Sequence, residues 1–333
     1  MSELTVVTGA AGFIGRNTVA ELNRRGLTDL ILVDDLGSDD KWQNLRGLRY
    51  EDLLRPAEFL AWLGTPGLRR VDAIVHLGAC SSTTEADADY LLENNYRFTR
   101  RLCEWALERH SRFVYASSAA TYGDGRLGYS DADADTDRLV PLNMYGYSKH
   151  MLDLWLLKNR LLDGVVGLKF FNVFGPFEEH KGDMRSGVAK AYEEIRDTGK
   201  LSLFKSYRDG VADGEQRRDF IYVDDAVDVV MHFLAVRDRG GLFNCGTGIA
   251  RTWVDLGRSV FAAMERKADI RFVEMPQVLQ GKYQYFTQAD THKLREAGYG
   301  PEFLTLERGV ERYVREHLVP RDQARDQMEA GSC

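Results

Sequence analysis

Residues 4–15, LTVVTGAAGFIG, join a short β-branched run to a helical pattern through three glycines spaced three apart, Gly9, Gly12 and Gly15. A strand that feeds a helix through so short a turn commits the chain to a βα unit. Repeated, such units build a parallel sheet with helices on both faces. The spacing also carries chemistry. Side-chain-free positions let the backbone approach a pyrophosphate, whose charge then lies at the helix N-terminus. A glycine pattern alone is a weak signal, but here a strand precedes it and a helix follows. Asp34 closes a second apolar run, DLILVDD (29–35), about twenty residues on, where an acid holds a ribose hydroxyl. Its carboxylate repels a 2′-phosphate and favours NAD, whereas Lys41, seven residues later, would neutralise that phosphate and admit NADP.

The rest of the chain continues the alternation. VDAIVHLGA (71–79), SRFVYASS (111–118) and VVGLKFFNVFG (165–175) read as further buried strands. DADYLLENNYRFTRRLCEWALERH is helical, and another helix begins near Met144. Past residue 176 the pieces shorten: a helix from about Arg185, then RRDFIYVDD, GLFNCGTG and IRFVEM, and a last helix from Thr305. This predicts a dinucleotide-binding domain over 1–175, with a return near 217–248. A substrate-binding lobe occupies mainly 176–318, and a fraying tail 319–333. With 44 basic against 51 acidic residues, the net charge of −7 argues against a nucleic-acid binder. Cys80, Cys103, Cys245 and Cys333 form no C-x-x-C pair, so neither a zinc site nor a disulfide framework is indicated, and free thiols fit a reducing cytoplasm. No stretch reaches the roughly 18 apolar residues of a membrane span, and the N-terminus does not read as a targeting segment.

NMYGYSKHM places Tyr145 and Lys149 four apart, on one helical face. A tyrosine titrating near ~10 is a poor base at neutral pH, and the Lys149 ammonium is expected to lower its pKa. Ser118 stands at the C-terminal end of the preceding strand, where ligands of open α/β sheets bind. From there it can hydrogen-bond the substrate oxygen that Tyr145 protonates or deprotonates.

The glycine loop, the SSAATYG strand end and the Tyr145/Lys149 pair resemble the extended short-chain dehydrogenase/reductase family of nucleotide-sugar enzymes. The resemblance runs from Thr8 to about Leu318. HLGACSSTTE (76–85), FNVFGPFEEHKGDM (171–184) and GKYQYFTQAD (281–290) further resemble the branch that epimerises ADP-heptoses at C6. The resemblance implies a Rossmann-type doubly wound parallel sheet with a smaller C-terminal α/β lobe. It implies a tightly held NADP, one per subunit, with NAD the alternative, and an ADP-heptose substrate. It also implies a cytoplasmic homo-oligomer, such as a pentamer, serving the lipopolysaccharide core, with neither nucleic acid nor membrane as a partner.

By the same resemblance, Gly9, Gly12, Phe13, Ile14, Gly15, Asp34, Asp35, Lys41, Leu77, Gly78, Ala79, Cys80, Ser81, Asn94, Tyr145, Lys149 and Val173 hold the cofactor. Ser118, Asn172, Lys181, Asp183, Lys190, Phe204, Lys205, Ser206, Tyr207, Arg218 and Tyr283 surround the ADP-sugar. Tyr145 becomes a catalytic acid/base with Lys149 as its partner and Ser118 beside it, and Lys181 becomes a second acid/base. Two groups are needed because inversion moves the oxygen, and proton transfer requires hydrogen-bond range. The chain departs from its resembling branch at Asp183 and Lys190, where a serine and a histidine are usual. RDGVADGEQ (208–216) looks like an insertion, and Arg55-Pro56 stands where a basic residue is expected. Ala119 and Ala120 occupy the place of the acidic pair of 4,6-dehydratases and cannot transfer a proton, which argues against elimination.

Overall fold

The computed structural model describes residues 4–280 and 283–330. Cys333, and Gly281 and Lys282 of the GKYQYFTQAD segment, lie outside the described residues. In chain order the strands are β1 (Leu4–Thr8), β2 (Leu30–Val33), β3 (Asp52–Leu54), β4 (Val71–His76), β5 (Arg112–Ser118), β6 (Val166–Phe170), β7 (Asn172–Phe174), β8 (Leu201–Phe204), β9 (Arg217–Tyr222), β10 (Gly241–Cys245), β11 (Ala250–Thr252) and β12 (Ile270–Val273). The chain divides into two units. The first runs through Phe170 and adds Ala226–Cys245 and Asp290–Gly300. The second holds Phe171–Asp225, Gly246–Ala289 and the chain from Pro301.

The first unit is a seven-stranded sheet in the order β10-β6-β5-β4-β1-β2-β3. Every pairing is parallel. The doubly wound order reverses at β1, which lies between β4 and β2, so the glycine loop leaves the sheet at the switch point where such folds take ligands. β1, β2, β4, β6 and β10 are buried along their whole length, which explains why they read as apolar runs rather than alternating ones. One face buries Val6, Ile74 and Phe113 with Leu102 and Leu156 from two helices. Each such side chain is worth roughly 1.5–3 kcal/mol of transfer free energy. The helical segment before β5 widens into a π-turn over Leu92–Arg97, a distortion common at functional sites.

The edge strand β10 is closed by carboxylates. Asp133 Oδ1 accepts the Leu242 N–H at 3.1 Å and Asp131 Oδ2 accepts the Asn244 N–H at 2.7 Å. These contacts occupy ladder positions that would otherwise be open to another strand.

The second unit carries a three-stranded sheet, β11-β9-β7, and a parallel pair, β12-β8. The strand expected over 165–175 is therefore two strands. Phe170 pairs with Ser118 and Cys245, the last residues of their own strands, so the partners of β6 end there. β7 pairs with β9 instead. The 319–330 stretch, expected to fray, forms the helix Val319–Ala330. Asp322 anchors it, accepting from the Tyr192 hydroxyl at 3.0 Å and from Arg196 Nη1 at 2.6 Å.

Candidate active site

Gly12 caps the Phe13–Arg24 helix without a side-chain bond, and no acid stands in its first turn. The helix N-terminus thus keeps its electropositive character. Gly9 has φ +66°, and a Cβ there would lie 2.6 Å from the Gly78 nitrogen; one on Gly15 would lie 2.0 Å from the Gly9 carbonyl oxygen. Only glycine fits, and the loop presents backbone alone. Asp34 is tied to this loop, accepting the Ala11 N–H at 2.8 Å and Lys41 Nζ at 2.6 Å. Asp35 and Arg55 approach to 3.1 Å. Asp34, Asp35 and Arg55, with Leu36, Gly37, Leu53 and Leu54, line a pocket of about 440 Å³. A bare-backbone cradle beside a pocket with apolar walls, carboxylates and a cation fits a nicotinamide dinucleotide.

Phe13 and Ile14 open the helix, and Leu77, Gly78, Ala79 and Cys80 are half-buried with Ser81 exposed. The asparagine expected at the cofactor, Asn94, donates to its neighbour Asn95 at 3.1 Å. Asn95 was not anticipated. It is buried, accepts the Cys80 N–H at 2.9 Å, and donates to the Cys80 carbonyl at 2.9 Å and to Ser148 Oγ at 3.0 Å. Its only sequence signal is a second amide in a helix, which does not reveal which of the two faces inward.

Ser118 ends β5, and its Oγ accepts the Ala120 N–H at 3.1 Å. Gly146 packs on that turn, since a Cβ there would meet the Ala120 carbonyl oxygen at 2.7 Å. This close approach lets Tyr145 reach Ser118. Burial pushes the Tyr145 hydroxyl above its ordinary pKa, the Ser118 hydroxyl opposes that rise, and Cys80 adds to it. The expectation that Lys149 lowers this pKa is corrected: desolvation dominates, and the opposing group is Ser118. Lys149 instead donates to the Ala116 carbonyl at 2.8 Å. Burial brings its own pKa down to about 8, against the pull of Asp153 one turn along the helix. Asp153 in turn accepts from Tyr115 at 2.8 Å, Ser117 at 2.9 Å and Lys169 at 3.0 Å.

In the second unit, Lys181 lies on the 3₁₀ segment Glu179–Met184. Burial lowers its pKa, Glu178 opposes this and Lys190 reinforces it. Glu178 is fully buried and accepts from the Ser186 N–H at 2.5 Å, the Ser186 hydroxyl at 2.6 Å and the Tyr313 hydroxyl at 3.1 Å. Asp183 and Lys190 are exposed, as is Asn172 on β7, beside the half-buried Val173. The Arg218 guanidinium lies 5.0 Å from the centre of the Tyr283 ring, and Phe204 meets that ring edge-on at 6.5 Å. Lys205, at 2.6 Å, and Tyr207 both bond Glu274. The 208–216 segment folds back on this strip. Asp213 accepts the Ser206 N–H at 2.8 Å, and Gln216 donates to the Lys205 carbonyl at 3.2 Å.

A doubly wound sheet with a glycine cradle at its switch strand, and a serine, tyrosine and lysine at the end of β5 two strands away, has the make-up of a nicotinamide-dependent enzyme. The chain belongs to the NAD dependent epimerase/dehydratase family, which it matches over residues 5–246. Within that family it is 52% identical over 318 residues to a Nitratidesulfovibrio vulgaris (strain DP4) protein named ADP-L-glycero-D-manno-heptose-6-epimerase, covering 95% of this chain and 98% of the relative. A Fusobacterium nucleatum protein of that name is 44% identical over 330 residues, covering 96% and 99%. The crystal structure of the Helicobacter pylori protein of that name shares the fold, with a TM-score of 0.78 at 23% identity over 95% of this chain and 96% of the other.

Proposed function

We propose that the chain is an isomerase that inverts C6 of ADP-D-glycero-D-manno-heptose to give ADP-L-glycero-D-manno-heptose. The observation that carries this reading is the 52% identity, over nearly the whole of both chains, to a relative of that name. When bound, a nicotinamide cofactor would supply the reversible hydride chemistry that inversion at C6 needs. Residues 9–15, Asp34, Lys41 and the 77–81 loop hold that cofactor. Lys41 on Asp34 and Arg55 on Asp35 bring cations to the ribose end and support NADP over NAD.

Tyr145 exchanges a proton with the C6 oxygen at one position, oriented by Ser118, while Lys149 holds positive charge beneath the strand end. Lys181 serves the oxygen of the other epimer, because a single phenol cannot stay within hydrogen-bond range of both. Burial moves the Lys181 ammonium toward neutrality, which suits an acid/base role. Arg218 offers the diphosphate a bidentate fork, with Tyr283 and Phe204 beside it. Asn172, Asp183, Lys190, Lys205, Ser206 and Tyr207 complete the sugar-nucleotide contacts. Among the described residues no helix is long and apolar enough to cross a membrane. The reading places a homo-oligomer in the cytoplasm.

The test is proton NMR of ADP-D-glycero-D-manno-heptose in D₂O with purified protein. Appearance of the L-glycero epimer, with protium still on C6, is the expected result. No change even with NADP or NAD supplied would remove the heptose assignment.

A further inference from the structure

His76, the last residue of β4, is 1% exposed. Both ring nitrogens are engaged: Nδ1 lies 2.6 Å from Thr8 Oγ1 and Nε2 lies 2.8 Å from Thr99 Oγ1. The neighbours dictate which atoms carry hydrogen. The Thr99 hydroxyl donates to the Asn95 carbonyl at 2.5 Å, so its oxygen is left to accept from Nε2–H. The Thr8 oxygen accepts the Gly78 N–H at 3.1 Å, and its hydrogen points to a bare Nδ1. Every partner is satisfied by the neutral Nε2–H tautomer. Burial and the Lys149 charge hold the ring in that form, with a pKa brought down to about 3. Phe113, stacked at 6.1 Å, fixes the plane.

We propose that His76 is a positioning residue for the dinucleotide site, a neutral imidazole that locks the glycine loop, the 77–81 loop and the Asn95 turn into one hydrogen-bonded unit. One arm runs from Nδ1 through Thr8 to Gly78, whose backbone lies directly against Gly9. The other runs from Nε2 through Thr99 to Asn95. The Asn95 amide clamps Cys80 through both its N–H and its carbonyl. That arm continues to Ser148, whose hydroxyl donates to the Tyr145 carbonyl at 2.7 Å. His76 acts through these groups; its nitrogens are spent on the two threonines. The proposal rests on the reading of residues 9–15 and 77–81 as the cofactor site.

The test uses Thr8→Val and Thr99→Val, near-isosteric changes that cut one arm each, with Thr8→Ser and Thr99→Ser as rescues. Two readouts are taken: hydrogen exchange of the Gly78 and Cys80 amides with no cofactor added, and the dissociation constants of NADPH and NADH by fluorescence. Each valine variant is expected to lose amide protection at its own arm and to weaken binding of the preferred nucleotide about three- to tenfold, the value of a buried neutral hydrogen bond. The serine variants should restore both. Unchanged protection in both valine variants would overturn the relay itself. Lost protection with unaltered binding of either nucleotide would overturn the assignment of these loops to the cofactor while leaving the relay standing.

Discussion

Asp153 and Lys169 form an ion pair 0% and 1% exposed, at 3.0 Å. Replacing Asp153 by Asn keeps the shape but leaves a buried ammonium without its counter-charge. Replacing Lys169 by Met leaves a buried carboxylate bonded to the Tyr115 and Ser117 hydroxyls without its ion-pair partner, with the Lys149 charge one turn away on the helix. Removing one partner of such a pair costs about 3–5 kcal/mol, a large share of a stability of about 5–15 kcal/mol. Removing both leaves neither member of the pair stranded, although Lys149 still loses the Asp153 charge, so the double variant should lose less than the sum, with a coupling of at least about 2 kcal/mol. Urea unfolding of the three variants measures this. A second signature is catalytic. Asp153 raises the Lys149 pKa, so Asp153→Asn should lower it further below about 8 and move the alkaline limb of kcat/KM to lower pH. Single losses that add in the double variant to within about 0.5 kcal/mol would refute the argument, because the two charges would then be independent.

Tyr145→Phe and Lys181→Met should each reduce turnover by about 10²–10⁴ while cofactor stays bound, and full activity in either would contradict the two-group scheme. Burial pushes the Asp131 carboxyl up to about 6, so the folded state binds that proton more tightly than the unfolded one. Its contribution to stability is full below about pH 4 and lost as pH rises through about 6, on the order of 3 kcal/mol. Melting temperatures at pH 5 and pH 8 should therefore differ more for the natural protein than for Asp131→Asn; equal differences would show that Asp131 titrates normally. Gly15→Ala places a methyl 2.0 Å from the Gly9 carbonyl, so the loop must shift and the protein should purify with little nucleotide, which absorbance after acid release reports.

Much of this protein is legible in the local order of its residues. The glycine turn between β1 and its helix, the spacing of Tyr145 and Lys149, and the apolar runs of a sheet covered on both faces all follow from neighbours a few residues apart. What local order misses is whatever depends on distant partners. Residues 165–175 read as one strand because nothing in them announces that the partners of β6 end at Ser118 and Cys245. The 319–330 helix reads as a tail because its anchors, Tyr192 and Arg196, lie more than a hundred residues away.

The amino-acid order alone thus determined the fold class, the glycine cradle and the serine, tyrosine and lysine set, since each is written in spacing and side-chain type. Only the tertiary structure decided how those groups are tuned. The Tyr145 pKa turns on desolvation, the bonding of Asn95 to Cys80 on which side of a π-turn faces inward, and the role of His76 on two threonines 68 and 23 residues away. Burial and long-range hydrogen bonds are properties of the packed chain, and they set proton positions that no local pattern encodes.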